Sequence, residues 1–132
     1  MQAVDVKSSV FPKSCHLKSS LRIKNIVLQR RFVYSFPVKC FYEVDTVEKG
    51  AKVAMIVSKK RFPHATDRNR VKRLMREAYR LNRHQLQLPD QCGVEMCWMF
   101  VGGERPTYQQ VCTATEHIFA ELQSEIQKEA SK

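Results

Sequence analysis

Between Arg68 and Arg83 the chain repeats on a helical period in two registers at once, and this double pattern narrows what it can fold into. Val71, Leu74, Met75, Ala78 and Leu81 recur at spacings of three and four and define an apolar stripe. Lys72, Arg76, Arg80 and Arg83 recur at the same spacing on another face, with Arg68, Asn69 and Arg73 beside them. A helix divided lengthwise in this way must bury one side and leave the other for solvent or a partner. After Pro63, Thr66 or Asp67 is expected to cap a helix opening near Arg68, with Asp67 well set against the positive end of its dipole.

The cations of that helix belong to a denser cluster. Residues 58–83 hold ten Lys or Arg against two acids, Asp67 and Glu77, and so contribute +8 to a net charge of +10. Residues 1–57 add +6 and residues 84–132 subtract 4. Charge at that density repels itself in the isolated protein, and a polyanion that neutralises it is the best account, nucleic acid being the default partner. The acids that interleave with bases on an ordinary solvated helix are nearly absent.

The 132 residues suffice for one domain with a real core, and 43% hydrophobic content belongs to a folded protein. A flexible N-terminal segment is expected over 1–16, a single RNA-binding domain over 17–128, and a loose end at 129–132. No window approaches the ~18 continuous apolar residues of a membrane span, and the N-terminus lacks a secretion signal. No membrane association and a cytoplasmic location are therefore expected. Five cysteines, Cys15, Cys40, Cys92, Cys97 and Cys112, form an odd set without a CxxC pair and read as free thiols. His16, His64, His84 and His117 are scattered, and none is spaced with a cysteine as metal ligands would be. The acids fall mainly in turns or on the outer face of the last helix, so no catalytic residue is expected in the protein itself.

The remaining elements follow from period and composition. Residues 17–30 read as a first helix with Ser19 or Ser20 as cap, then Phe32 to Tyr34 and Val38 to Val44 as strands separated by Pro37. Ala51 to Ser58 and Val94 to Val101 are nearly unbroken apolar runs, the pattern of strands covered on both faces. Trp98 and Met99 are assigned to the core. Thr107 to Lys128 is a closing helix with Val111, Ala114, His117, Ile118, Leu122 and Ile126 toward one face and Glu116, Glu121, Glu125 and Glu129 outside. The segment from Ala51 to Val101 is strand, helix, strand, which implies a parallel crossover.

Ser58-Lys59-Lys60 followed by RNRVKRLMRE at 68–77 resembles the signature of the protein subunit of bacterial ribonuclease P, and the similarity extends weakly from about Leu17 to about Leu122. The resemblance implies an α+β fold, a two-layer α/β sandwich of αβββαβα order whose four-stranded sheet has an unusual left-handed βαβ crossover. It implies a holoenzyme in which a catalytic RNA subunit uses Mg²⁺ to remove the 5′ leader of precursor tRNA, with no obligate protein partner. By position, Lys59, Lys60, Arg68, Asn69, Arg70, Lys72, Arg73 and Arg76 would face the RNA, and Tyr42 would line a cleft for the leader. Arg61 and Arg80 join the RNA-facing set by charge.

Arginine forks suit phosphate and base planes alike, and a groove for unpaired nucleotides needs positive charge beside an aromatic platform. Tyr42, Phe36 and Phe41 are the aromatic candidates, yet strand alternation sets Phe41 opposite Tyr42, so one set alone can line a groove. Tyr42 and Phe36 are the expected pair. The chain departs from the family pattern at Ile23 and Ile26, where the first helix usually offers aromatics, and in RFPHATD between the two halves of the motif, where small residues are familiar. A structural or ribosomal RNA-binding protein is the alternative reading; a helix-based DNA reader is a third, without heptads or a partner helix behind it.

Overall fold

The computed structural model describes residues 17, 19–45, 50–88 and 92–130, so the expected flexible segment 1–16 lies outside the described residues. The elements are α1 (Ser20–Leu28), β1 (Phe32–Ser35), β2 (Val38–Asp45), β3 (Gly50–Val57), α2 (Ala65–Asn82, continued by a 3-10 turn Arg83–Gln85), β4 (Gly93–Phe100) and α3 (Tyr108–Ala130). This is the αβββαβα order. The sheet runs β1-β2-β4-β3, with β1–β2 and β2–β4 antiparallel and β3–β4 parallel, as a strand–helix–strand crossover through α2 requires.

Strand alternation divides the sheet into two unlike faces. On one, Val33, Val38, Cys40, Tyr42, Val53, Met55, Val57, Val94, Met96, Trp98 and Phe100 pack against α2 and α3 in the main core. Tyr79 of α2, Trp98 and Phe119 of α3 meet at its centre with ring centroids 5.2–5.6 Å apart. On the other face Phe41 and Cys97 pack beneath Leu17, which precedes the short helix α1, and Ile26 within it. The two layers are thus the sheet and the α2/α3 pair, with α1 laid over part of the outer sheet face.

Local chemistry sets the boundaries. Ser19 Oγ accepts the Arg22 N–H at 3.2 Å and starts α1. Arg30 ends it with φ of 59°, a left-handed conformation usually left to glycine. α2 begins three residues earlier than the cap residues suggested: the amides of Asp67 and Arg68 both donate to the His64 carbonyl at 3.1 Å, and Asp67 lies within the first turn. Its buried positions are Val71, Met75, Ala78, Tyr79 and Asn82, which follow the 3.6-residue period. Leu81, expected in the stripe, is 45% exposed at its rim. In α3, Thr115 and Phe119 are buried and His117 is exposed, while the helix continues through Glu129, whose carboxylate pairs with Arg31 at 2.9 Å.

Candidate nucleic-acid interface

The basic loop after β3 is built outward from a buried plug. Phe62 is 6% exposed and packs on Phe100, ring centroids 5.8 Å apart, so the residues before it are carried to the surface. The Phe62 amide donates to the Ser58 carbonyl and the Lys60 amide to Ser58 Oγ, both at 3.0 Å, which folds Ser58–Phe62 into a tight turn with Lys59, Lys60 and Arg61 exposed. Arg68 closes the structure: its guanidinium donates to the carbonyls of Phe62 and Pro63 at 2.9 and 2.8 Å. Part of its hydrogen-bonding capacity is therefore spent on the loop.

Along α2, Asn69, Arg70, Arg73 and Arg76 are exposed and Lys72 is half-buried. Among the described residues no carboxylate stands within ion-pair distance of Lys59, Lys60, Arg61, Arg70, Lys72, Arg73 or Arg76. Arg80 differs, since it is paired with Glu77 one turn away and is only 19% exposed in its side chain. Seven unpaired cations and an amide thus share one continuous surface of loop and helix. Arg105, from the loop after β4, reaches the same region, 3.8 Å from the Asp67 carboxylate. Sequence spacing offered no signal for Arg105, because only the topology brings it to α2.

The aromatic expectation needs correction. Tyr42 is 2% exposed, on the α3 side of β2, with the Arg31 guanidinium 4.9 Å from its ring centroid; no ring face is left for a base. Burial raises the pKa of its hydroxyl, a second sign of a core position. The outer sheet face takes the opposite parity. There Tyr34, Lys39, Met99 and Ile56 form one cross-strand row, set by the pairings Tyr34↔Lys39, Lys39↔Met99 and Ile56↔Met99. Phe32, Phe41, Cys97 and Ala54 form the next row, partly beneath α1.

Phe41 itself is 7% exposed, whereas Phe32 and Tyr34 are 45% and 51% exposed. Lys39 Nζ lies 4.1 Å from the Phe32 ring centroid and 5.3 Å from that of Phe41. The accessible platform is therefore Phe32 and Tyr34 with Lys39 between the rows. The signal was in the sequence: Lys39 and Glu43 share the parity of Phe41, and polar residues mark the wetter face. Phe36 is 66% exposed but stands at the β1–β2 turn, beside a 270 Å³ pocket with Pro37, Phe100 and Gly102, away from the row.

A third row closes the far end of this face. Glu43 and Glu95 are cross-strand partners, and Arg22 from α1 bonds both, at 2.6 Å to Glu43. Those bonds, to Glu95 first and then Glu43, raise the Arg22 pKa. α1 is thereby clasped over one end, and the uncovered end gathers the C-termini of β3 and β4 and the β1–β2 turn. Ser58–Arg61 lies at that end. Among the described residues no three His, Cys, Asp or Glu side chains gather as a metal site, and no helix is long and apolar enough to cross a membrane.

Fold and surface define a class: a small α+β domain with an exposed arginine-rich helix on its surface. A family profile described as Ribonuclease P matches residues 11–123. The chain belongs to the ribonuclease P protein family, with a role in the RNA–protein holoenzyme of tRNA 5′ maturation. It is 35% identical over 102 residues to the ribonuclease P protein component of Porphyromonas gingivalis, covering 74% of each chain. It is 37% identical over 81 residues to that of Chlorobium phaeobacteroides, covering 52% of this chain and 56% of the relative. The fold is similar to the RNase P proteins of Staphylococcus aureus, with a TM-score of 0.69 at 17% identity over 83% of this chain and 96% of that one, and of Thermotoga maritima, with 0.57 at 18% over 83% and 97%.

Proposed function

We propose that the protein works in the cytoplasm by holding two RNAs at once: the catalytic RNA subunit on the loop and α2 surface, and the single-stranded 5′ leader of precursor tRNA on the uncovered sheet row. The observation that carries this reading is that one domain exposes both seven cations with no carboxylate partner among the described residues and a Phe32–Tyr34–Lys39 platform. Lys59, Lys60, Arg61, Asn69, Arg70, Lys72, Arg73 and Arg76 meet RNA phosphates and bases. Arg68 serves the same surface chiefly by fixing the loop, and Arg80 stands at its margin. Guanidinium groups neutralise phosphate in paired hydrogen bonds, and unpaired bases stack on the aromatic rings at about 1–3 kcal/mol each.

Mg²⁺ held by the RNA subunit would supply the hydrolytic chemistry, and no residue of this protein is assigned to hold it. The protein's share is electrostatic and positional: its cations let RNA segments approach, and the platform holds the leader so that the scissile bond stays in register. The test is reconstitution with the cognate catalytic RNA at low Mg²⁺, where the protein is expected to restore leader removal. Phe32→Ala with Tyr34→Ala is expected to weaken binding of leader-bearing precursor about tenfold or more while leaving mature tRNA binding unchanged. An equal loss on both substrates would remove the leader from this face.

A further inference from the structure

Between α2 and the loop after β4 lies a recess of about 470 Å³, lined by Arg70, Val71, Arg73, Leu74, Arg105 and Pro106. Its composition is unlike that of a phosphate-binding helix face. Three guanidinium-bearing residues surround a floor of valine, leucine and proline, and a convex helix that only tracked phosphates would need no apolar hollow. The volume falls in the lower part of the ~300–1,000 Å³ range of small-ligand sites and far exceeds one phosphate group.

The wall opposite α2 is fixed. The Val101 amide donates to the Pro37 carbonyl at 2.8 Å before the loop. After it, the Thr107 amide donates to Gln110 Oε1 at 2.9 Å and the Gln110 amide to Thr107 Oγ1 at 3.2 Å, a reciprocal cap on α3. A Cβ at Gly102 would come within 2.8 Å of the Phe100 ring, so a side chain there would have to displace that ring. Arg105, 56% exposed in its side chain, is drawn toward α2 by Asp67. Arg70 and Arg73, three residues apart on one face, supply the other two cations.

We propose that this recess receives one extruded nucleotide of the catalytic RNA, its base on Val71, Leu74 and Pro106 and the flanking phosphates on Arg70, Arg73 and Arg105. The inference rests on the reading of α2 as the RNA-facing element. Bases inside an RNA helix are stacked and out of reach, so an unpaired base turned out of the stack is what an apolar hollow within a cationic rim can take. Guanidinium planes at the rim can also stack on it.

The experiment measures affinity for the cognate catalytic RNA across a salt series. Leu74→Trp fills the recess and keeps every cation; it is expected to weaken binding about tenfold with no change in the salt slope. Arg105→Ala, on an exposed loop, is expected to weaken binding as well and carries the test if Leu74→Trp does not fold. Ultraviolet crosslinking through the recess should map to one nucleotide. An abasic substitution there should weaken binding of the natural protein about as much as Leu74→Trp does, and add little to that variant. Leu74→Trp binding within about twofold of the natural protein, with Arg105→Ala behaving only as a lost surface charge, overturns the proposal, as does an abasic cost equal in both proteins. Tight binding of adenosine monophosphate by the free protein, lost in Leu74→Trp, would make the recess a mononucleotide site and overturn it too. Failure of the underlying reading looks different, since Arg61→Ala, outside the recess, would then leave affinity and salt slope unchanged.

Discussion

Arg30 holds a backbone conformation that suits glycine, and its neighbours explain why it must: the Gln29 and Arg30 amides turn back to the carbonyls of Asn25 and Val27 and stop α1 before β1 begins. Arg30→Gly is expected to raise stability by about 0.5–1 kcal/mol, and a β-branched residue there to lower it, both read by denaturant unfolding. Cys97, between the sheet and α1, is fully buried, and burial with a smaller effect of Glu95 pushes its pKa up to about 11. An unfolded cysteine titrates near 8.5, so the stabilising difference is complete below that pH and is lost as pH rises toward 11. Natural protein is expected to lose stability over pH 8.5–10.5 faster than Cys97→Ala, by up to about 1.4 kcal/mol per pH unit. Parallel unfolding curves for the two would rule this out.

At the scale of elements, α2 was the most legible part of the chain because its two patterns share one period, and each pattern checks the other. Leu81 was misread and Tyr79 missed for one reason: hydropathy ranks leucine above tyrosine, whereas the 3.6-residue stripe carries Tyr79 under Trp98 and leaves Leu81 at the edge. The strands were legible in place but not in facing. Alternation in β2 separates Tyr42 from Phe41 and says nothing about which side holds two helices. The start of α2 was misplaced because good capping residues, Thr66 and Asp67, lie inside a first turn that the His64 carbonyl begins. For the cationic side of α2, Arg70, Arg73 and Arg76 replaced together by Ala should leave the melting temperature nearly unchanged and flatten the dependence of log affinity on log salt by up to about 2–3. Arg68 is left out of that set because its carbonyl contacts make its loss a change of loop as well as of charge.

Across the whole molecule, the placement of charge follows from topology. The sheet order brings the ends of β3 and β4 and the β1–β2 turn to one rim, while the acids of α3 stay on outward positions such as Glu116 and Glu121. Contacts that join distant segments, such as Arg105 to Asp67 or Arg31 to Glu129, were invisible in the sequence because no local period encodes them. The Arg22 clasp is the same kind of contact. Arg22→Met should cost about 1 kcal/mol, as a part-exposed pair of bonds does, and should speed amide exchange in α1 more than in α2. Equal exchange in both helices would show that the apolar contacts of Ile23, Ile26 and Val27 hold α1 down without the clasp.

That clasp makes ionic strength a lever with two ends. Added salt screens part-exposed ion pairs as well as protein–phosphate contacts, so the same titration that would weaken the proposed RNA contacts of α2 slackens the cover beside the platform. Leader capture should consequently fade with salt more steeply than its own few phosphate contacts would dictate, and a clasp-free variant should show the shallower dependence.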